Sequence, residues 1–152
     1  MIQLMRQRID AYIDGASRGN PGPSAVGIFI RESSGKDILR KGEFIGQTTN
    51  NVAEYTALIR ALKHLNKLPK AKTADINVYS DSELLVKQLN GDYRIKSKNL
   101  IPLAIEARKL LKAYSYLKLN LINREQNKVA DKMANKALDI EKEVEEFSRA
   151  AM

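Results

Sequence analysis

Which residues of this chain could do chemistry is decided first by what it lacks. There is no cysteine, so disulfides, thiolate zinc sites and cysteine nucleophiles are excluded. The single histidine, His64, is too few for a zinc finger or an HExxH site, and any Ser-His-Asp triad would have to use it. It lies in Ala-Leu-Lys-His-Leu, beside Lys63, and reads as a helix-surface residue without a chemical role. Ligation and acid/base work therefore fall to carboxylates. Hard oxygen donors with little else beside them select Mg2+ or Mn2+.

Four acids are placed for such work: Asp14, Glu54, Asp81 and Asp131. Asp14 closes the run Arg8 to Asp14, where Ile9, Ala11 and Ile13 alternate with Asp10, Tyr12 and Asp14, and a period of two predicts a strand. Asp81 directly follows a second strand-like run, Ala74 to Ser80. If these strands are adjacent and parallel, both carboxylates emerge at the carboxyl ends, where open α/β sheets place their active sites. Glu54 precedes Ala57 and Leu58, so it continues the helical stripe Ala57, Leu58, Ala61, Leu62, Leu65. A carboxylate aimed at a sheet is costly unless it is paired or binds metal. Asp131 stands near the start of a last helix, at the edge of the stripe Ala130, Ala134, Ala137, Leu138.

Each acid also has a plainer reading. The helix macrodipole favours acids in a first turn, where the sequence puts Glu54 and Asp131. Asp14 before Gly15 and Asp81 before Ser82 suit turn formers. Taken singly, these readings lead. Taken together, four clustered acids repel one another unless cations lie between them.

The elements that must position these acids are legible. Ser24 to Ile30 and Ile38 to Ile45 continue the strand pattern, with short links that predict an antiparallel meander. Thr48-Thr49-Asn50-Asn51 offers N-capping side chains ahead of a helix that Pro69 ends. After the strand ending at Ser80 come a helical stretch from Leu84 to Leu89, a helix from about Pro102 to Tyr114, a strand from Leu117 to Ile122 and a helix from about Lys128. The order β-β-β-α-β-α-α-β-α predicts an α/β fold, with parallel crossovers for the later strands. Residues 1–152 are expected to form a single domain, with its core at about 7–138 and an acidic tail at 139–152. Ile140, Val144 and Phe147 keep helical spacing, so the tail is expected to extend the last helix; a dimer contact or an autoinhibitory segment are the alternatives.

Composition sets the class. With 43% hydrophobic and 29% charged residues, the chain matches an ordinary globular protein. No apolar run reaches membrane-spanning length, and the N-terminus lacks a secretory signal's apolar stretch. A cytoplasmic location is expected. Net charge is +8, and residues 139–152 carry a net −3 (five acids, two bases), which leaves +11 on the first 138 residues. A basic body suits a polyanion, through counterion release from phosphates. Charge alone does not separate that from a protein with solvated lysines.

At this point the residues resemble a known family, ribonuclease H type 1. The resemblance rests on Tyr-Ile-Asp-Gly-Ala-Ser-Arg-Gly-Asn-Pro-Gly-Pro (12–23), Thr-Thr-Asn-Asn-Val-Ala-Glu (48–54), Tyr-Ser-Asp-Ser (79–82) and Asn-Lys-Val-Ala-Asp-Lys-Met-Ala (127–134), in the family's order and spacing over about residues 7–138. It implies a five-stranded mixed sheet flanked by helices. It further implies that Asp14, Glu54, Asp81 and Asp131 hold two Mg2+ ions, with Mn2+ as a substitute. The reaction implied is hydrolysis of the RNA strand of an RNA–DNA hybrid to 5′-phosphate and 3′-hydroxyl ends. Asn20, Asn50 and Asn51 match hybrid-contacting amides. Gly15, Gly19 and Gly22 would let the backbone approach a shallow groove, and Thr49 and Asn99 fall where the family binds a phosphate of the DNA strand.

Departures from the family are equally specific. The loop Asn123-Arg124-Glu125-Gln126 has no histidine, so the resemblance assigns Arg124 the task of product release or proton transfer, with a solvated salt bridge as the alternative. The stretch from Leu89 to Pro102 is too short for a separate basic helix, leaving Lys87, Arg94, Lys96 and Lys98 as cationic groups there. Neither a hybrid-binding N-terminal domain nor a following phosphatase domain is expected. Expected partners are the hybrid alone, with no membrane and no small-molecule cofactor, and nothing requires more than a monomer. Two readings compete: a broader nuclease that also takes double-stranded RNA, and a silent hybrid-binding module.

Overall fold

The structure, a computed structural model, describes residues 6–147. Residues 148–152 of the tail and Met1 to Met5, which the signal-sequence reading used, lie outside them. Six strands form one sheet: β1 (Arg8–Ser17), β2 (Gly22–Glu32), β3 (Asp37–Thr48), β4 (Asp75–Ser80), β5 (Tyr116–Leu121) and β6 (Val144–Glu146). Their spatial order is β5-β4-β1-β2-β3-β6. The early strands form the expected antiparallel meander, and β4 runs parallel to both β1 and β5. Four α-helices complete the fold: α1 (Asn50–Leu65), α2 (Glu83–Leu89), α3 (Ile101–Leu111) and α4 (Lys128–Ile140).

Alternation along the strands decides which helix covers which face. Ile9, Ala11 and Ile13 of β1 join Val26, Ile28 and Ile30 of β2 and Leu58, Leu62 and Leu65 of α1 in one buried core. The intervening residues point to the other face, where α4 lies across β2 and β3. It comes so close that a Cβ on Gly27 would sit 1.8 Å from the Ala130 carbonyl oxygen, and one on Gly42 2.1 Å from that of Met133. Small residues on α4 (Ala130, Ala134, Ala137, all 0% exposed) permit the same approach from the helix side. Among the described residues, no helix is long and apolar enough to cross a membrane.

Three sequence expectations are corrected. The sheet has six strands rather than five, because the tail does not prolong α4. The helix ends at Ile140, Glu141 turns left-handed (φ 52°), and β6 pairs antiparallel with β3 through Arg40↔Glu146, Lys41↔Glu145 and Gly42↔Val144. A continued helix would stack Asp139 on Glu143 and Glu141 on Glu145 at like-charge i,i+4 spacing, with acids at its negative end. As a strand the tail instead covers an open sheet edge and pairs Glu143 with Lys41 and Glu146 with Lys136. Second, β1 runs on to Ser17, so Asp14 lies within the strand rather than closing it. Third, His64 is no bystander on the surface. Its ring Nε2 stands 3.1 Å from Glu43 Oε1, and Arg60 binds the other oxygen of that carboxylate. Burial alone would push Glu43 up, yet His64 and Arg60 hold it below the ordinary carboxylate range.

Candidate active site

The last parallel pairs between β1 and β4 are Tyr12↔Tyr79 and Ile13↔Ser80. Asp14 and Asp81 are the next residues along the two segments, so the register sets them side by side. Glu54 reaches the same point from α1, whose N-cap is Thr49; the Thr49 hydroxyl accepts from the Val52 N–H at 3.3 Å. That cap places Glu54 in the second turn, not the first, and weakens the macrodipole explanation for an acid there. Gly15 makes the approach feasible, because any Cβ would lie 2.4 Å from the backbone of Ala53 and Glu54. The missing side chain thus permits the packing of α1 on β1.

Oxygens of Asp14, Glu54 and Asp81 all lie within 4.8 Å of one another. Asp131, in the first turn of α4, lines the same cleft of about 500 Å³. Its carboxyl accepts from Asn135 Nδ2 at 3.2 Å. Asp14 is only 6% exposed and Glu54 9%. Burial, reinforced by Glu54, Asp81 and Asp131, pushes Asp14 up to about 9. Burial, with Asp81 adding, pushes Glu54 up to about 8, against the opposing pull of the Gly15 N–H, Asp14 and the Arg124 charge. Without a cation, burial and mutual repulsion therefore favour the protonated forms of Asp14 and Glu54.

One atom tests whether a metal belongs here. Glu54 Oε1 accepts from the Gly15 N–H at 3.0 Å, but Oε2 is buried with no hydrogen-bond partner. A buried carboxylate oxygen left unpaired costs free energy that a cation would recover. The all-oxygen donor set and this orphan together fit a divalent metal ion.

The other expected site residues scatter around the acids. Asn50 and Gly15 line the cleft, and Arg124 does so from a short 3-10 turn (Arg124–Gln126) closed by a capping box between Asn123 and Gln126. No ion pair of Arg124 occurs among the described residues; the neighbouring Glu125 pairs with Lys128 instead. Asn20 Oδ1 accepts from the Asn50 N–H at 3.0 Å, which ties the β1–β2 turn to the start of α1. Asn51 is exposed on the first turn of α1. Asn99 lies outside the cleft, on the turn ahead of α3. Asn127 and Asn135, which had no assigned part, also reach the acids. Gly27 and Gly42 set how near α4 brings Asp131; a glycine inside a strand signals close backbone approach, and that signal was present in the sequence.

Fold and cleft together define a class: α/β proteins with a cluster of carboxylates, fit for a divalent cation, where two parallel strands end. Comparison with known proteins narrows it. A family model described as reverse transcriptase-like matches residues 12–137. The ribonuclease HI of Halobacterium salinarum is 41% identical over 132 residues, 87% of this chain and 65% of that protein. A crystal structure of RNase H1 from the same archaeon superimposes with a TM-score of 0.81 at 39% identity, covering 88% of this chain and 98% of that one. LC11-RNase H1, solved in complex with an RNA/DNA hybrid, gives 0.81 at 38% identity over 88% and 98% of the two chains. The chain belongs to this family and, within it, to the type 1 ribonucleases H. It spans 65% of the length of the halobacterial relative.

Proposed function

We propose that this chain is an endoribonuclease that hydrolyses the RNA strand of RNA–DNA hybrids, leaving 5′-phosphate and 3′-hydroxyl ends. The observation that carries the reading is Glu54: its Oε2 is buried without a partner, and one of its carboxylate oxygens lies within 4.8 Å of oxygens from Asp14 and Asp81. Asp14, Glu54, Asp81 and Asp131 would hold two Mg2+ ions, or Mn2+ in their place. When bound, such ions supply the charge that makes water nucleophilic and offsets the leaving oxygen of a phosphodiester.

The chain's own residues do the rest. The β1–β4 register fixes Asp14 and Asp81, and the Gly15 N–H orients the Glu54 carboxylate. Asn50 sits in the lining of the cleft, with Asn20 bound to its backbone and Asn51 exposed beside it. Their amides suit the 2′-hydroxyl, the group by which a protein separates RNA from DNA. Thr49 and Asn99 would take phosphates of the DNA strand. Arg124 brings a positive charge to the cleft without a competing ion pair among the described residues, which suits contact with substrate or the departing product. A monomer working in the reducing cytoplasm completes the proposal.

End-labelled RNA–DNA hybrid, RNA duplex, DNA duplex and single strands, each offered with Mg2+, test it. Cleavage of hybrid RNA alone is the expected result. Cleavage of RNA duplex would widen the substrate, and tight binding without turnover would mark a silent module. Asp81→Asn is expected to abolish turnover while the far-ultraviolet circular dichroism stays unchanged.

A further inference from the structure

Asn127 is 1% exposed at the N-cap position of α4, yet its side chain caps nothing. Asn is among the best N-caps, so a different use of the amide is to be sought. Its Nδ2 donates to the Ile13 carbonyl at 2.8 Å and reaches Asp81 Oδ2 at 3.4 Å. Its backbone N–H donates to the Arg124 carbonyl at 3.0 Å, and its own carbonyl accepts from the Asp131 N–H at 3.1 Å. One residue thus touches the strand position before Asp14, the carboxylate of Asp81, the Arg124 turn and the backbone of Asp131. The amide orientation is fixed, because a flip would set Oδ1 against two oxygens. Aiming both hydrogens this way leaves Oδ1 buried without a partner.

From this geometry we infer that Asn127 is a positioning residue: it holds the Asp81 carboxylate at a set place relative to Asp14, from a donor anchored on the β1 backbone. The inference rests on the metal reading of the cleft. Groups that hydrogen-bond a metal ligand from outside typically govern ten- to hundredfold in metal affinity. A residue that only clamps α4 to β1 would change stability and leave that affinity alone.

Calorimetric titration of the full chain with Mn2+ separates the two roles, using wild type, Asn127→Ala and the near-isosteric Asn127→Leu, with thermal melts in EDTA. Both variants are expected to remain folded in EDTA and to bind Mn2+ about ten- to hundredfold more weakly. The wild-type Asn127 side-chain amide resonances are expected to shift with added Mg2+, in step with binding. Lowered melting with unchanged Mn2+ affinity would overturn the inference. So would amide resonances that stay put at saturating Mg2+, a readout that decides alone should both variants fail to fold. Wild-type protein that binds no Mn2+ would instead bring down the metal reading, and this inference with it.

Discussion

Glu54 and Asp14 set the residue-scale chemistry, because burial raises both carboxyls far above the ordinary range, to about 8 and about 9. Their unfolded values lie near 4. The folded, cation-free protein therefore binds more protons than the unfolded chain between roughly pH 4 and 9, and its stability falls as pH rises through that window. Melting temperature in EDTA is expected to drop from pH 5 to pH 9, with Mg2+ raising it more at pH 9 than at pH 6. A stabilisation by Mg2+ that does not grow with pH would contradict these shifts. Cation binding should likewise release protons, read as a dependence of calorimetric heat on the buffer's ionisation enthalpy. Asp14, Asp81 and Glu54 were legible in sequence because Asp14 belongs to an alternating strand run, Asp81 directly follows another, and Glu54 continues a helical stripe. Asn127 was not. Its partners are a carbonyl 114 residues away and a carboxylate 46 away, and no local pattern encodes such contacts.

At the scale of elements, backbone approach matters more than side-chain bulk. Gly27→Ala would drive a methyl into the Ala130 carbonyl, one residue from Asp131. Overpacking of this kind costs about 1–3 kcal/mol or more. Chemical denaturation should record the loss, and Mn2+ affinity should fall with it as α4 is pushed off the sheet; an unaffected variant would mean that α4 sits less tightly than described. The strands, the Thr49 cap and the element order were readable from period and capping residues. The fate of the tail was not, because Ile140, Val144 and Phe147 mimic a helical stripe while the like-charge spacing of the acids argues for a strand at the β3 edge. Replacing Val144 by Pro is expected to remove β6 and lower the melting temperature by a few degrees, leaving hybrid cleavage intact. Lost cleavage would place the tail in the working site.

For the whole molecule, charge governs encounter with substrate. The chain carries +8 overall, and five of its acids lie in the tail, where Asp139 binds Arg18 and Glu143 binds Lys41. A protein that neutralises about five hybrid phosphates should lose affinity with a log–log salt slope of about −4.5. Fluorescence anisotropy with the Asp81→Asn variant in EDTA would measure it. A flat salt dependence would rule out phosphate contacts as the main source of binding.

The most direct test concerns the acids themselves. Crystals soaked in Mn2+ and measured at the manganese edge should show two anomalous peaks in the cleft, ligated by Asp14, Glu54, Asp81 and Asp131. Absence of any peak there, or peaks held by other residues, would contradict the account.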